Sequence, residues 1–292
     1  MLSNITENKI CIPDHFNYVG IFLTLSCNLK CSYCINHLSG PAQKAKLMGA
    51  TQWQNFFHRL VMPQTIRLTL QGGEPSIHPH FYDIVNSIPE DIDVDLLSNA
   101  QFDVEEFCQR INPKKFKPHE KYPAIRISYH PETMDLEKTI VKVKLLATHG
   151  YSIGIYSVLH PSNCEVIENV HRRCKELGIF FKTKEFLGVY NNRTYGEFKH
   201  KDAVFAKKLK SCECKTSEFL VSPTGTSYRC HSDLYNAINS QGSVLEDSFT
   251  VPSEFKYCDQ FGNCNPCDIK IKNNRFQQFG HTSVEIRDLK VN

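Results

Sequence analysis

Nothing in the chain of 292 residues reads as an address or an anchor. Met1 to Pro13 lacks the apolar stretch of a signal peptide. No run approaches the ~20 apolar residues of a membrane span. An excess of one charge is also missing. The 34 Lys and Arg against 31 Asp and Glu leave a net +3, too little to argue for nucleic acid or a membrane surface as partner. The locally basic stretch Lys114 to Lys121 reads as a solvated loop. What is abundant is cysteine. Thirteen is an odd count, the spacings resemble those of metal ligands, and no export signal precedes them. Reduced thiols in a cytoplasmic protein are therefore expected, rather than a disulfide framework. Cys11, Cys108, Cys164 and Cys174 lie singly and are expected to be buried as small apolar side chains.

Cys27, Cys31 and Cys34 sit in one run, Cys-Asn-Leu-Lys-Cys-Ser-Tyr-Cys. Iron–sulfur clusters are normally held by four thiolates. A cubane held by three has one iron open to a small ligand. Zinc would want a fourth ligand, and His37 is the nearest candidate. Further along, Leu70-Gln71-Gly72-Gly73-Glu74-Pro75 follows the strand-like run Thr65 to Leu70. Two glycines let backbone approach a ligand closely, and a carboxylate can accept from an ammonium.

The two segments resemble the Cys-x3-Cys-x-aromatic-Cys loop and the Gly-Gly-Glu-Pro turn of the radical S-adenosylmethionine (SAM) enzymes. The resemblance implies a [4Fe-4S] cluster on Cys27, Cys31 and Cys34, with S-adenosylmethionine chelating the open iron. It also implies a 5′-deoxyadenosyl radical that removes hydrogen from an unactivated position. By the same resemblance Tyr33 packs near the adenine, and Gln71, Gly72, Gly73 and Glu74 bind the methionine part. Ser128, in Ile-Ser-Tyr-His, contacts the cofactor's polar groups, and Ser98 and Asn99 face the active site. The last two suit ribose or carboxylate binding, with local capping as the alternative. His130 and His160 sit at strand ends and could face substrate, and Leu187 could line the adenine.

Strand-like and helix-like segments alternate. Tyr18 to Ser26, Thr65 to Leu70, Val94 to Leu97, Ala124 to Tyr129, Ser152 to His160 and Ile179 to Leu187 read as strands. Thr51 to Val61 (with Thr51 as N-cap), Phe81 to Ile88, Val104 to Ile111, Met134 to His149 and Cys164 to Leu177 read as helices. Six repeats predict an α/β fold with a parallel sheet, too few for a closed eight-fold barrel. The resemblance implies a partial (βα)6 TIM-like barrel. Ligands in such barrels sit at the C-terminal strand ends, where Cys27, Gly72, Asn99, Ser128 and His160 fall.

After the sixth strand the pattern changes. Tyr190 to Ser211 reads as a linker with one helix, and then come Cys212, Cys214, Cys230, Cys258, Cys264 and Cys267. Glu218 to Val221 and Thr226 to Arg229 form a hairpin around Ser222-Pro223-Thr224-Gly225. A zinc ribbon would suit hairpin cysteines plus a Cys-x2-Cys pair. The region also resembles the SPASM and twitch extensions of radical SAM enzymes, most closely twitch-type enzymes acting on aminocyclitols. That likeness implies one auxiliary [4Fe-4S] cluster on Cys212, Cys230, Cys264 and Cys267. Cys214 and Cys258 are spare, or stand in for Cys212 and Cys264. The expected division is a barrel over 1–188, a linker over 189–211 and a small cysteine-rich, hairpin-containing extension over 212–292.

The implied function is reductive cleavage of S-adenosylmethionine, followed by oxidation of a substrate through hydrogen abstraction. A low-potential donor such as flavodoxin or ferredoxin would supply the electron. Lys184, Glu185 and Tyr190 are candidate bases by position. A small polar metabolite, such as a sugar or aminocyclitol, is the expected substrate. A ribosomally made peptide is the alternative, although the short stretch before Cys27 has no room for a leader-binding domain. A non-catalytic electron carrier is the third reading. No domain of a length suited to cobalamin is expected.

Overall fold

The computed structural model describes residues 8–35, 46–272 and 281–289. His37, the candidate zinc ligand, lies outside the described residues. The core is one eight-stranded sheet built on six parallel strands: β1 (Tyr18–Thr24), β2 (Leu68–Gly72), β3 (Val94–Ser98), β4 (Ile125–Tyr129), β5 (Ile153–Leu159) and β6 (Phe181–Glu185). Two more strands, β7 (Glu218–Val221) and β8 (Ser227–Tyr228), join at the β1 edge, so the order is β8-β7-β1-β2-β3-β4-β5-β6. All neighbours are parallel except β7 and β8. All seven β1 residues are buried, as expected of a strand covered on both faces.

Each helix shows why its segment folds as it does. In α1 (Ala50–Arg59), Trp53, Phe56 and Phe57 recur at helical spacing on the buried side. Its N-cap is Gly49 rather than Thr51. The Gln52 side chain reaches back to the Gly49 N–H, a bond that Thr51, one turn-position later, cannot replace. After α2 (Phe81–Ser87) comes α3 (Val104–Arg110), capped by Asp103, and then α4 (Leu136–Thr148), capped by Asp135. In α5 (Cys164–Glu176), Ile167, Val170 and Cys174 face the sheet, and the chain turns at Gly178 with φ +66°. Among the described residues no helix is long and apolar enough to cross a membrane.

The fold is therefore the α/β partial barrel expected, with a difference at its edge. The hairpin expected in the extension is hydrogen-bonded into the main sheet, with Glu218 opposite Tyr18 and Val221 opposite Ile21. The helix expected between Tyr190 and Ser211 is a single 3-10 turn, Lys201–Ala203. It follows a short hairpin of Gly188–Tyr190 and Arg193–Tyr195. Positive φ at Asn191 and Asn192 makes that hairpin turn. Of the remaining cysteines, Cys212, Cys214 and Cys258 sit on a three-stranded sheet of Lys210–Thr216, Lys256–Phe261 and Val284–Arg287, Cys230 caps α6 (His231–Asn236), Cys264 precedes α7 (Pro266–Ile269) and Cys267 lies on it. Of the four single cysteines, Cys174 is buried, Cys108 and Cys164 are half-buried, and Cys11 is exposed at the end of a two-residue strand.

Candidate active site

The C-terminal ends of β1 and β2 are pressed together. Gly73 N–H donates to Thr24 O (2.8 Å) and Glu74 N–H to Ser26 O (2.9 Å). Gly72 has φ +136°, and a Cβ on Gly73 would lie 1.9 Å from Ser26 O. The register between β1 and β2 slips between Phe22 and Thr24, which re-aims the chain entering the cysteine loop. Cys27, Cys31, Cys34 and the diglycine turn consequently open onto one cavity of ≈ 280 Å³. Gln71, Glu74, Ser98, Asn99 and Ser128 line the same cavity. So ten of the expected residues meet at one rim although they come from four strand ends.

The polar groups there are closely committed. Glu74 is 1% exposed. Its carboxylate accepts from Ser76 N–H (3.1 Å), Ser76 Oγ (2.6 Å), Ser98 Oγ (2.8 Å) and Asn99 N–H (2.6 Å). That saturation ties the ends of β2 and β3 together. Asn99 Nδ2 donates to Asn28 Oδ1 at 2.7 Å and lies 3.8 Å from Cys27 Sγ. Burial pushes the Cys27 thiol up, and the Cys31 thiol up to about 11. Both keep their protons unless a metal cation takes the proton's place, which suits a donor set of three sulfurs facing a cavity.

Tyr33 does not line the cavity. Its ring stacks on His160 (centroids 5.1 Å apart) and its hydroxyl meets His130 Nδ1 at 3.1 Å. Next to it, Glu132 accepts from Ser32 N–H (2.9 Å) and Ser32 Oγ (2.6 Å). These contacts dock the cysteine loop on the segment after β4. Sequence reasoning missed Glu132, because only its spatial neighbour gives it a role. Of the candidate bases, Lys184 reaches the cavity, whereas Glu185 pairs with Lys270 at 3.1 Å and Tyr190 packs edge-on against His160.

The later cysteines divide. The sulfurs of Cys212, Cys214 and Cys258 lie within 4.8 Å of one another, because Cys212 and Cys214 share one strand face and Cys258 is the cross-strand partner of Cys212. Cys230 and Cys264 border the same hollow as Cys214 and Cys258, beside the Arg229 guanidinium, which Asp233 holds at 2.9 Å. The Cys214–Cys258 contact draws the Cys258 thiol down and leaves Cys214 the protonated member. Cys267 instead borders the barrel cavity. Near it His231 Nδ1 meets Asp268 Oδ1 at 2.7 Å. Burial opposes charge on that ring, yet Asp268, and then Glu218, outweigh it and raise the His231 pKa.

A second cavity of ≈ 180 Å³ adjoins the barrel cavity. It shares Gln71, Leu97, Lys184, His231 and Cys267 with the first. Tyr18, Tyr156, Lys182, Thr183, Lys270, Lys272 and Glu218 complete its wall.

The model of the family described as the radical SAM superfamily matches residues 21–200, well over half of the chain. Over 72 residues the chain is 36% identical to molybdenum cofactor biosynthesis protein 1 of Bos taurus. That match covers 24% of this chain and 11% of the relative, so the chain spans only a small part of that relative's length. Among solved structures, native anSMEcpe with bound AdoMet is 15% identical, with TM-score 0.52 and 78% of each chain covered. The same protein with AdoMet and the Kp18Cys peptide is 14% identical, with TM-score 0.53 over 78% of each chain. At such identities the likeness is one of fold.

Proposed function

The chain belongs to the radical SAM superfamily, and from that membership we propose that its cavity at the strand ends is where a substrate is oxidised by hydrogen abstraction. The residues proposed to hold the [4Fe-4S] cluster are Cys27, Cys31 and Cys34. The single observation that carries this reading is the convergence of those three thiols and the diglycine turn on one cavity. When bound, the cluster and S-adenosylmethionine supply a 5′-deoxyadenosyl radical.

The chain's own residues bind, orient and shield. Asn99 and the Leu29 N–H lie beside Cys27 Sγ and would stabilise charge on it. Because Glu74 is saturated by four donors, the diglycine backbone is the better partner for the methionine ammonium, and Glu74 acts by holding β2 to β3. Ser128 offers a hydroxyl from the end of β4. Phe22, Leu29, Ile35 and Tyr235 give the cavity apolar walls that exclude water. Tyr33, unlike the sequence expectation, serves as an anchor of the loop.

We assign residues 1–188 the barrel role, 189–211 the connection and 212–292 the auxiliary role. An auxiliary [4Fe-4S] cluster is proposed for the second group of thiols. Cys212, Cys230, Cys264 and Cys267 are the ligands by motif, with Cys214 and Cys258 as alternates by proximity. In its favour, four thiols line one hollow, a fifth, that of Cys212, lies within 4.8 Å of two of them, and a sixth borders the cavity. The proposed substrate is a small polar metabolite, and the proposed donor is a low-potential flavodoxin or ferredoxin. A peptide is the second reading, favoured by the fold shared with peptide-bearing anSMEcpe.

The test is 5′-deoxyadenosine formation by the anaerobically reconstituted, reduced protein. Cys27→Ala, Cys31→Ala or Cys34→Ala should abolish it, and its persistence would overturn the assignment. Iron per chain should be about eight, falling to about four when Cys212, Cys214 and Cys258 are replaced together. Zinc in their place would remove the auxiliary cluster.

A further inference from the structure

The second cavity is lined by more hydrogen-bond donors than acceptors. Lys184 has no hydrogen bond or carboxylate partner among the described residues. Its ammonium lies 5.6 Å from the centroid of the Tyr156 ring. Burial, and then the nearby Arg126 guanidinium, lowers its pKa to about 8. Tyr156 is 2% exposed and its hydroxyl is unpartnered. Burial raises that hydroxyl to about 12, so it stays a donor. Gln71 accepts from the Tyr18 hydroxyl at 2.9 Å, which leaves its amide Nε2 beside Gly20, buried and also unpartnered. Lys182, two residues before Lys184 on β6 and so on the same face, lines the cavity as well. Native proteins leave few buried polar groups unsatisfied. Here two buried donors, the Tyr156 hydroxyl and the Gln71 amide, face one space, and the half-buried Lys184 ammonium adds a third. One oxygen of the sole carboxylate among the described residues lining it, Glu218 Oε1, is held by Lys272 at 3.5 Å and by the Ser283 hydroxyl, and Oε2 lies 4.0 Å from His231 Nδ1.

We propose that this cavity seats an anionic group of the substrate, a carboxylate or a phosphate, on the Lys184 ammonium, the Tyr156 hydroxyl and the Gln71 amide. The assignment rests on the reading that chemistry occurs in the adjoining cavity, since the two share Lys184 and Gln71. Anchoring here leaves the remainder of the substrate free to extend into the adjoining cavity at the cysteine rim. It makes Lys184 a substrate-binding residue rather than a base chosen by position.

The test is calorimetric titration of the reconstituted full chain with inorganic phosphate and, separately, with acetate. The anion that binds more tightly identifies phosphate or carboxylate as the group. Lys184→Met should weaken binding at least about tenfold, as expected for loss of a charge-assisted hydrogen bond. Lys184→Arg should retain binding within about threefold and Tyr156→Phe should weaken it several-fold, so that the result does not hang on one variant's folding. Affinity for S-adenosylmethionine should be unchanged in all three. Equal anion binding by wild type and Lys184→Met, or none by wild type, overturns the proposal. So does a loss of S-adenosylmethionine affinity with anion binding intact, which would give Lys184 to the cofactor's carboxylate. Deoxyadenosine formation is measured in parallel. Its absence with anion binding preserved defeats the proposed function and leaves the subsite standing.

Discussion

Gly73→Ala is the sharpest probe of how the two motifs are joined. The added methyl would lie 1.9 Å from Ser26 O, 2.4 Å from Ser26 C and 2.7 Å from Leu25 O. All three are backbone atoms, which cannot rotate aside. Reaching ordinary contact at about 3.5 Å means parting the two segments by roughly 1.5 Å. The bonds from Gly73 N–H to Thr24 O and Glu74 N–H to Ser26 O, 2.8 and 2.9 Å long, would then be broken. Two lost hydrogen bonds cost about 1 kcal/mol each and overpacking about 1–3 kcal/mol, together about 4 kcal/mol. At about 2–4 °C per kcal/mol for a chain of this size, Tm should fall by roughly 10 °C. Gly178→Ala is the control: its methyl meets nothing within 4 Å, and only the positive φ opposes it, at about 1–2 kcal/mol. Scanning fluorimetry reads both, and iron analysis reads whether the displaced Cys27 still holds a cluster. A Gly73→Ala protein melting within about 2 °C of wild type would refute the reasoning. Normal melting with lost S-adenosylmethionine affinity would instead mean that the glycine serves the ligand alone.

Two further outcomes follow from buried charge. Asp95 is fully buried between Arg126 Nη2 at 3.0 Å and Arg67 Nε at 3.2 Å. Asp95→Ala strands two guanidinium groups and should cost about 3–5 kcal/mol in urea denaturation, so a change below about 1 kcal/mol would refute the pairing's role. His130 is held down to about 4 by burial and by the Lys184 charge, whereas in the unfolded chain it titrates near about 6.5. Between those values the unfolded state binds more protons, so stability should rise as pH climbs through that window, by about 1.4 kcal/mol per unit at most. Comparing urea midpoints at pH 5 and pH 7 tests this: His130→Gln should flatten the difference, and an unchanged difference would assign it elsewhere.

The six parallel strands and their helices were legible because each carries its own signal. Burial on both faces makes β1 a continuous apolar run, and Ile167, Val170 and Cys174 repeat at helical spacing. The cysteine loop and the diglycine turn were legible as motifs. What the residues could not say locally was which partner each would find. Glu74 reads as a free acceptor until Ser76, Ser98 and Asn99 are seen to occupy it. Tyr33 reads as a cofactor contact, and nothing local announces that it also stacks on His160 and meets His130. Glu218 to Val221 reads as part of a separate extension, because nothing in a four-residue strand announces pairing with β1 some two hundred positions earlier. Lys184, Glu185 and Tyr190 were equivalent by position. Period-two alternation separates Lys184 from Glu185, but it leaves open which face is the inside until the sheet curves.

That inner face explains why the barrel tolerates so much unpaired polarity. Asp95 and Leu97, Arg126 and Ser128, and Lys182 and Lys184 are pairs two residues apart, so each pair shares one face of its strand. Leu97, Ser128, Lys182 and Lys184 line the cavities, which places Arg126 and Asp95 on the same interior. Arg126 is fully buried, and its Nε and Nη1 have no partner. One carboxylate, Asp95, therefore answers two guanidinium groups, and burial, joined by the Arg126 charge, lowers the Lys184 pKa. A core selected for stability alone would place apolar side chains at these positions. An interior that holds more cations than carboxylates is unfavourable by itself and becomes more favourable when an anion enters. The same residues thus lower the stability of the empty barrel and raise its affinity for an anionic substrate, which is the expected sign where binding rather than folding fixes the choice of side chain.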